Sequence, residues 1–314
     1  MRIVGFMVAR NEEDIVEATV RHNLLTLDAL TVVDHGSDDA TPGILASLVR
    51  EGLPLTVERD ETLGLSQSRV TTEHARRMFE NGADLCVPLD ADEFLRMPSR
   101  PVFERVVAAA EASVHLAMSW TTYLPRFDAP GDLVARLAHA RRPREEQHGI
   151  YKVIVRRSLL DQPRAIVCAG NHGVDYGDGS GQLPHDALPP SVVSVAHVPV
   201  RSVGQLTAKV AVGRLSRRLA GLDDSATSPH LRDEYDAILA GRPLTREHLT
   251  AIVANYSVPP QRRVDPATIA WIEDAFLADI ELRYTPAQPP NPLARILTFG
   301  ERVAAEVART TGGL

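Results

Sequence analysis

The sequence has few cysteines, no long apolar run and no excess of positive charge. Its only two cysteines, Cys86 and Cys168, lie in apolar segments, so we expect buried thiols and no disulfide framework. No apolar run approaches the ~18 residues of a membrane span, and charge follows the N-terminus too early for a signal-peptide core. A net charge of −7 offers no basic surface for nucleic acid. We therefore expect a cytoplasmic protein with no transmembrane segment and no nucleic-acid partner.

Strands and helices alternate through the first third of the chain. Apolar segments of strand length cover residues 3–9, 30–34, 54–59 and 84–89. Segments with apolar residues at helical spacing separate them. This alternation predicts a parallel, doubly wound sheet that binds its ligands where the carboxyl ends of the strands open. No Gly-x-Gly-x-x-Gly pattern follows the first strand, which argues against a dinucleotide-binding fold.

The rest of the chain turns from strands to helices. Strand-like segments cover residues 114–123, 151–157, 164–168 and 192–196, and helical segments cover 202–222, 230–240, 245–255, 266–282 and 293–309. We expect three parts: an α/β domain over 1–200, a helical extension over 201–285, and a Pro-rich spacer with a terminal helix over 286–314. The amphipathic terminal helix leaves three interpretations open: packing on the body, which is favoured, joining two subunits as a homodimer, or lying on a membrane.

Two acids stand two residues apart after the fourth predicted strand. In extended backbone this spacing directs the carboxylates of Asp90 and Asp92 to the same side. Mg²⁺ and Mn²⁺ prefer oxygen ligands, and Mg²⁺ usually completes its shell with water and the phosphates of a substrate. The pair therefore indicates a divalent cation and a phosphate-bearing ligand. Because two nearby acids are common in proteins, a solvated loop after a buried strand is the alternative.

Four polar loops fall at the same edge of the predicted sheet, and together they carry a family resemblance. The segments are Ala-Arg-Asn-Glu-Glu at 9–13, Asp-His-Gly-Ser-Asp-Asp-Ala-Thr at 34–41, Ser-Arg at 68–69 within the loop 64–69, and Leu-Asp-Ala-Asp-Glu-Phe at 89–94. In this order they resemble the family 2 type of nucleotide-sugar glycosyltransferases. The match covers residues 1 to about 100. It implies a GT-A fold: a Rossmann-like, mostly parallel sheet with helices on both faces, followed by a helical C-terminal region.

The resemblance also implies an activity. It predicts a metal-dependent, inverting, hexosyltransferase-like enzyme of glycan or natural-product biosynthesis. The donor would be a nucleotide diphosphate sugar, UDP-linked by default, the acceptor a hydroxyl group of a small molecule or glycan, and the cofactor Mg²⁺ or Mn²⁺. Two alternatives stay open, a non-catalytic nucleotide-sugar-binding protein and a haloacid-dehalogenase-like phosphatase. The phosphatase family expects Thr or Val where Phe94 stands.

Candidate site residues follow from the polar loops and from the ends of later strands. The expected nucleotide-sugar-binding residues are Ala9, Arg10, Asn11, Glu12, Asp34, Asp38, Arg69, Asp90, Ala91, Arg201 and Lys209. The expected metal ligands are Asp90, Asp92 and His197, the last through a neutral imidazole. Arg201, Lys209 and the start of the helix between them suit a diphosphate.

The general base is expected on the segment that follows the strand-like residues 164–168. His172 and Asp175 are the candidates, because either can take a proton from an acceptor hydroxyl once its pKa is tuned. Structural roles remain open beside the functional ones. Asp34 and Asp38 also suit turn caps, Arg69 a surface ion pair, His172 a loop hydrogen bond and His197 a core position at a strand end.

Overall fold

The computed structural model shows an α/β protein. It describes residues 1–62, 66–110, 113–146, 149–219, 221, 232–256, 258, 260–277, 280–287 and 291–311. The strands are β1 (Ile3–Ala9), β2 (Ala29–Asp34), β3 (Leu55–Arg59), β4 (Leu85–Asp90), β5 (Glu93–Arg96), β6 (His115–Thr122), β7 (Arg141–Pro143), β8 (Ile150–Arg156), β9 (Ile166–Val167), β10 (Val174–Asp175), β11 (His185–Ala187), β12 (Ser194–His197) and β13 (Trp271–Glu273). The helices are α1 (Val16–Asn23), α2 (Thr41–Arg50), α3 (Gln67–Glu80), α4 (Arg100–Ala109), α5 (Leu133–Leu137), α6 (Val203–Leu219), α7 (Arg232–Leu239), α8 (Arg246–Ala254) and α9 (Pro292–Thr311).

The central sheet has the order β3-β2-β1-β4-β8-β6-β12-β5, with β11 paired to β6. The first four strands in this order are parallel, β8 runs antiparallel to both of its neighbours, and β12 is parallel to β6. The predicted α/β class and mostly parallel sheet are confirmed. The carboxyl ends of β1, β2 and β4 therefore meet at one edge, as the polar loops required.

Helices cover both faces of the sheet because successive side chains of each strand point to opposite sides. On β1, Ile3 and Met7 belong to the core beneath α1, α2 and α4. Val4 and Phe6 belong to a second core, beneath α3. A strand buried on both faces reads as a continuous apolar run, which is why the N-terminal strand was recognisable from its sequence.

The prediction of a helix over 266–282 is wrong for the described residues of that segment. Pro266–Thr268 forms a single 3₁₀ turn capped by Asp265, and β13 follows as an extended strand. β13 pairs with β7, with Trp271 opposite Pro143. Short apolar segments do not distinguish helix from strand by spacing alone, and here the pairing partner lies far away in sequence. The predicted acceptor loop at 126–147 likewise contains α5 and β7.

Several predicted features reach outside the described residues. They are part of the loop at 64–69, residue 147 of the acceptor loop, the end of the helix predicted to 222, the start of the helix predicted from 230, and part of the spacer at 286–292. The other helical predictions after residue 200 correspond to α6, α7, α8 and α9.

The terminal helix α9 packs on the body of the same chain, against α6 and the loops that follow β1 and β2. Phe299 is 1% exposed, and the guanidinium of Arg10 lies 4.9 Å from the centroid of its ring. Arg295 pairs with Glu13 and Asp39. The favoured interpretation of this helix therefore describes the structure. No helix in the described part of the chain is long and apolar enough to cross a membrane.

Candidate functional site

Two adjoining cavities open at the carboxyl edge of the sheet. The larger has a volume of about 410 Å³ and reaches the loop after β4. The smaller, of about 310 Å³, lies between the loop after β1, α6 and α9. They share a wall formed by Arg10, Glu12, Lys209, Gly213 and Arg217. The two cavities are thus joined at a wall rich in positive charge.

Asp92 lies at the floor of the larger cavity, 3% exposed. Its Oδ2 is 2.7 Å from Lys209 Nζ and 3.7 Å from Arg201 Nη1, and its Oδ1 is 3.6 Å from His197 Nε2. Burial raises the pKa of Asp92, but Lys209, His197 and Arg201 together hold that pKa below its ordinary value. The carboxylate is therefore ionised at neutral pH.

Asp90 and Glu93 both pair with Lys152, the other lysine of the chain. Lys152 Nζ is 2.7 Å from Asp90 Oδ2 and 2.7 Å from Glu93 Oε1. Glu93 is fully buried and also accepts hydrogen bonds from Trp120 Nε1, at 2.9 Å, and from the backbone N–H of Asp90, at 2.9 Å. Burial raises the pKa of Glu93 and Lys152 lowers it, and the net result is a pKa of about 8. Gln67 donates to the other oxygen of Asp90, at 2.9 Å.

Sequence reasoning missed Glu93 and Lys152. The available signal was a charged residue inside the otherwise apolar strand β8, in a chain whose only two lysines are Lys152 and Lys209. A charge is rarely buried in a strand unless it is paired. Its partner could not be identified, because β8 joins β4 through antiparallel pairing across more than sixty residues of sequence.

Arg201 fastens the loop after β1 to the segment before α6. It is 1% exposed and binds Asp14 through Nε, at 2.9 Å, and through Nη2, at 3.0 Å, and it also pairs with Glu12. These acids raise the pKa of Arg201 against the effect of burial. Burial raises the pKa of Glu12 to about 7. Arg201 lines the smaller cavity, with its guanidinium already engaged by carboxylates.

His197 is a buried, neutral imidazole. Its ring stacks on Trp120 with centroids 4.3 Å apart. Burial lowers the pKa of His197 well below its ordinary value, and within the described residues its Nδ1 has no hydrogen-bond partner. A neutral imidazole beside a carboxylate suits Mn²⁺ or Mg²⁺ chemistry, with Asp92 as the hard oxygen donor.

The donor set fits a divalent cation that a substrate helps to hold. Five buried or half-buried acids face three cations in this cluster: Glu12, Asp14, Asp90, Asp92 and Glu93 against Lys152, Lys209 and Arg201. The described residues contain no cluster of three or more His, Cys, Asp or Glu side chains that could hold a metal alone. Mg²⁺ commonly takes one or two protein carboxylates and completes its shell with phosphates. Asp92 and His197 are suited to that arrangement, whereas the oxygens of Asp90 face Lys152 and Gln67.

His172 lies on the wall of the larger cavity. Its Nδ1 is 2.8 Å from the carbonyl oxygen of Tyr151. A carbonyl only accepts, so Nδ1 carries the hydrogen and Nε2 keeps its lone pair. Burial lowers the pKa of His172, which keeps the ring neutral. The other base candidate, Asp175, accepts the N–H of Gly177 at 2.8 Å and is not among the described residues that line either cavity.

The loop that carries His172 is held against Asp90. Gly170 has φ +73°, and a Cβ placed there would lie 2.6 Å from the ring of His172. Its carbonyl accepts from Lys152 Nζ at 2.7 Å, and its N–H donates to Gln67 at 3.0 Å. A glycine is therefore required, both for the backbone angle and for the closeness of the imidazole.

Asp34, Asp38 and Arg69 are not among the described residues that line the two cavities. Asp34 is 2% exposed and accepts the N–H of Ser37 at 3.1 Å. The carboxylate of Asp38 is 3.6 Å from Arg302 on α9. Arg69 is exposed, binds Glu73 at 3.0 Å and lines neither cavity within the described part of the chain.

The first loop and Ala91 contribute to the site in different ways. Arg10 lines both cavities, and its Nε and Nη2 have no hydrogen-bond partner among the described residues. Asn11 lines the smaller cavity with φ +56°. The carbonyl of Ala9 accepts the N–H of His35 at 2.8 Å, and that of Ala91 accepts the hydroxyl of Thr19 at 2.8 Å.

No family model and no curated protein matches the chain. Solved structures give matches of low identity. A mannosyltransferase from Pyrobaculum calidifontis, in complex with GDP-Man and Mn²⁺, is 16% identical with a TM-score of 0.37, over 81% of this chain and 73% of that one. Glucosyl-3-phosphoglycerate synthase from Mycobacterium tuberculosis is 17% identical with a TM-score of 0.34, over 71% of this chain and 81% of that one. Because both TM-scores are below 0.5, these matches carry no argument about this chain.

Proposed function

We propose that this protein is a metal-dependent glycosyltransferase. It would transfer a sugar, with inversion, from a nucleotide diphosphate sugar to a hydroxyl group of a small-molecule or glycan acceptor. The observation that carries the proposal is the meeting of two cavities at Arg10 and Lys209, beside Asp92 and His197. A wall rich in positive charge between two cavities suits a diphosphate that joins a nucleoside to a sugar. UDP is the nucleotide we expect, from the sequence resemblance.

The two cavities divide the work of binding. Ligand pockets commonly measure about 300–1,000 Å³, and both cavities fall in this range. The smaller, with Asn11 and His35 on its wall, would take the nucleoside. The larger, with Trp120 and His172, would take the sugar and the acceptor. The diphosphate would then lie along the shared wall, where Nε and Nη2 of Arg10 have no hydrogen-bond partner in the part of the chain that the structure describes.

His172 is the general base of this proposal. Its Nδ1–H is fixed by the carbonyl of Tyr151, which leaves Nε2 to accept the proton of the acceptor hydroxyl. The lowered pKa of His172 keeps the imidazole in the form that accepts a proton. As the proton leaves, the hydroxyl oxygen bonds to the anomeric carbon and the diphosphate departs from the opposite face, which inverts the configuration. Such a base contributes about 10²–10⁴-fold in rate.

Asp92 and His197 would hold Mg²⁺ or Mn²⁺ together with the donor. When bound, the cation neutralises charge on the leaving diphosphate. Arg10 and Lys209 face the same diphosphate from the shared wall. Buried Arg201 keeps Glu12 and Asp14 in place and thereby holds the first loop.

The test is donor turnover by the wild-type protein and by Asp92→Asn. We expect slow release of nucleoside diphosphate from a UDP-sugar or a GDP-sugar in the presence of Mn²⁺. Asp92→Asn should lower this rate by at least about 100-fold, since the loss of one electrostatic stabiliser typically costs about 10²–10³. Asp161→Asn, at an exposed position, is the matched control and should keep wild-type turnover. The proposal fails if Asp92→Asn turns over as fast as the control.

Nucleotide binding and donor turnover must be measured separately. A thermal shift with UDP and Mn²⁺ reports occupation of the cavities, and nucleotide release reports chemistry. Occupation without release by any donor, in the presence of any acceptor, would identify the non-catalytic nucleotide-sugar-binding protein instead.

A further inference from the structure

The chain contains 34 lysine and arginine residues, and only Lys152 and Lys209 are lysines. Both end on the carboxylates that follow β4: Lys152 on Asp90 and Lys209 on Asp92, each at 2.7 Å. An ammonium group is a compact point charge on a flexible stem, whereas a guanidinium is a planar fork with fixed directions. Each acid of the predicted metal motif is therefore paired with a lysine, the more flexible of the two kinds of cation.

The two lysines differ in their freedom to move. The side chain of Lys152 is 1% exposed, and it holds Glu93 and the carbonyl of Gly170 in addition to Asp90. The side chain of Lys209 is 30% exposed, and it lines both cavities from α6. Lys152 is therefore a fixed part of the core, whereas Lys209 has open space on the shared wall into which its ammonium group can turn.

Lys209 pairs with the carboxylate of Asp92, which a divalent cation bound by Asp92 and His197 would also need. The Oδ2 of Asp92 carries the ammonium group and its Oδ1 is 3.6 Å from His197 Nε2. A dication and an ammonium group on one buried carboxylate repel each other strongly, because both lie in a region of low dielectric constant. Metal binding is therefore easiest when Lys209 has another anion to bind.

We propose that Lys209 makes metal binding depend on the donor. In the ligand-free protein its ammonium group holds Asp92; when a diphosphate lies along the shared wall, the group turns to the phosphates and leaves the carboxylate to the divalent cation. This inference rests on the proposed function, because it assumes a diphosphate ligand at that wall. The coupling is reciprocal by thermodynamic necessity: the donor increases the affinity for the metal, and the metal increases the affinity for the donor by the same factor.

The test measures Mn²⁺ binding to the protein by electron paramagnetic resonance, without any sugar acceptor. For the wild type we expect weak binding alone, and binding at least about tenfold tighter with UDP or GDP present, within the range usual for coupled sites. Lys209→Met should bind Mn²⁺ in the absence of nucleotide at least about tenfold more tightly than the wild type. Lys209→Arg, which keeps a cation on Asp92, should restore the weak binding of the wild type.

Two further variants keep the outcome clear. Arg105→Met removes the same charge from the exposed side of α4, at a residue that lines neither cavity within the described part of the chain. It should leave Mn²⁺ affinity without nucleotide within about twofold of the wild type, because solvent and salt screen an exposed charge. Lys209→Gln keeps an N–H donor for Asp92 without the charge and serves in place of Lys209→Met if that variant does not fold.

Two results overturn the inference. In the first, the wild type and the neutral Lys209 variants bind Mn²⁺ with equal affinity in the absence of nucleotide. In the second, nucleotide does not change the Mn²⁺ affinity of the wild type. Either result, in a protein that still releases nucleoside diphosphate, leaves the proposed function standing. If neither the wild type nor any variant binds Mn²⁺ with UDP or GDP present, metal-dependent transfer fails together with the inference.

Discussion

Replacing Lys152 by methionine should destabilise the protein more than any surface substitution. Lys152 is fully buried between Asp90 and Glu93, and these carboxylates raise its pKa against the effect of burial. Above the pKa of Glu93, two negative charges then remain without the ammonium group, one of them on the fully buried Glu93. Removing one partner of a buried ion pair typically costs about 3–5 kcal/mol. Because Asp90 is 32% exposed and water relieves part of its charge, we expect a loss near the lower figure.

The loss should depend on pH, and its sign follows from Glu93. Burial already raises the pKa of this residue to about 8 with Lys152 present, and removal of the ammonium group raises that pKa further. Between pH 8 and the higher pKa of the variant, the folded variant therefore binds a proton that neither the folded wild type nor the unfolded chain, with a glutamate pKa of about 4.3, binds. The loss of unfolding free energy relative to the wild type should consequently grow as the pH rises above 8, and it should be nearly constant below that pH, where both folded proteins bind the proton.

Urea denaturation followed by far-UV circular dichroism, at about pH 7 and at about pH 9.5, on either side of the pKa of Glu93, is the assay. Arg69→Met is the matched control, since its pair with Glu73 is more than half exposed on both sides and such pairs contribute about 0.3–0.5 kcal/mol. The double variant Lys152→Met/Glu93→Gln removes one stranded charge and should recover at least about 1 kcal/mol. A loss below about 1 kcal/mol for Lys152→Met, or a loss that is the same at both pH values, would refute this account of the buried cluster.

Two further predictions concern the base and its loop. His172→Ala should lower donor-to-acceptor transfer by about 10²-fold or more, whereas Asp175→Asn should change it less than about threefold, because its carboxylate caps a local turn; the reverse ranking in a transfer assay would make Asp175 the base. Gly170→Ala should lower kcat and leave the affinity for UDP unchanged, because the added methyl group displaces the ring of His172; unchanged kcat would show that the position of this ring is not required.

The predictions that succeeded from sequence are those that depend on local spacing. Alternating strands and helices indicate a parallel sheet, and the carboxyl ends of parallel strands lie together whatever the details of packing. The amino-acid sequence alone therefore assigns the loops carrying Arg10, Asp34 and Asp92 to one edge. Lys209 was also singled out, since it stands one helical turn beyond Gln205 in the segment that follows the last predicted strand. The prediction that Arg69 binds the nucleotide stays untested; in the structure it pairs with Glu73.

The features that sequence alone did not reveal depend on pairing between distant segments. The insertion of β8 between β4 and β6 brings Lys152 to Asp90 and Glu93, and no local periodicity encodes that register. The packing of α9 on the first two loops places Phe299 against Arg10, although the helix is the last element of the chain.

The sequence by itself determined the class of fold, the edge of the sheet at which the polar loops meet and the acids that stand there, because side-chain periodicity and strand direction are local properties. Only the tertiary structure decided which cation neutralises which acid, and which of His172 and Asp175 lies on a cavity. Those choices depend on distances across the fold, and electrostatic interactions in a buried cluster change with each ångström of separation and each neighbour removed from water.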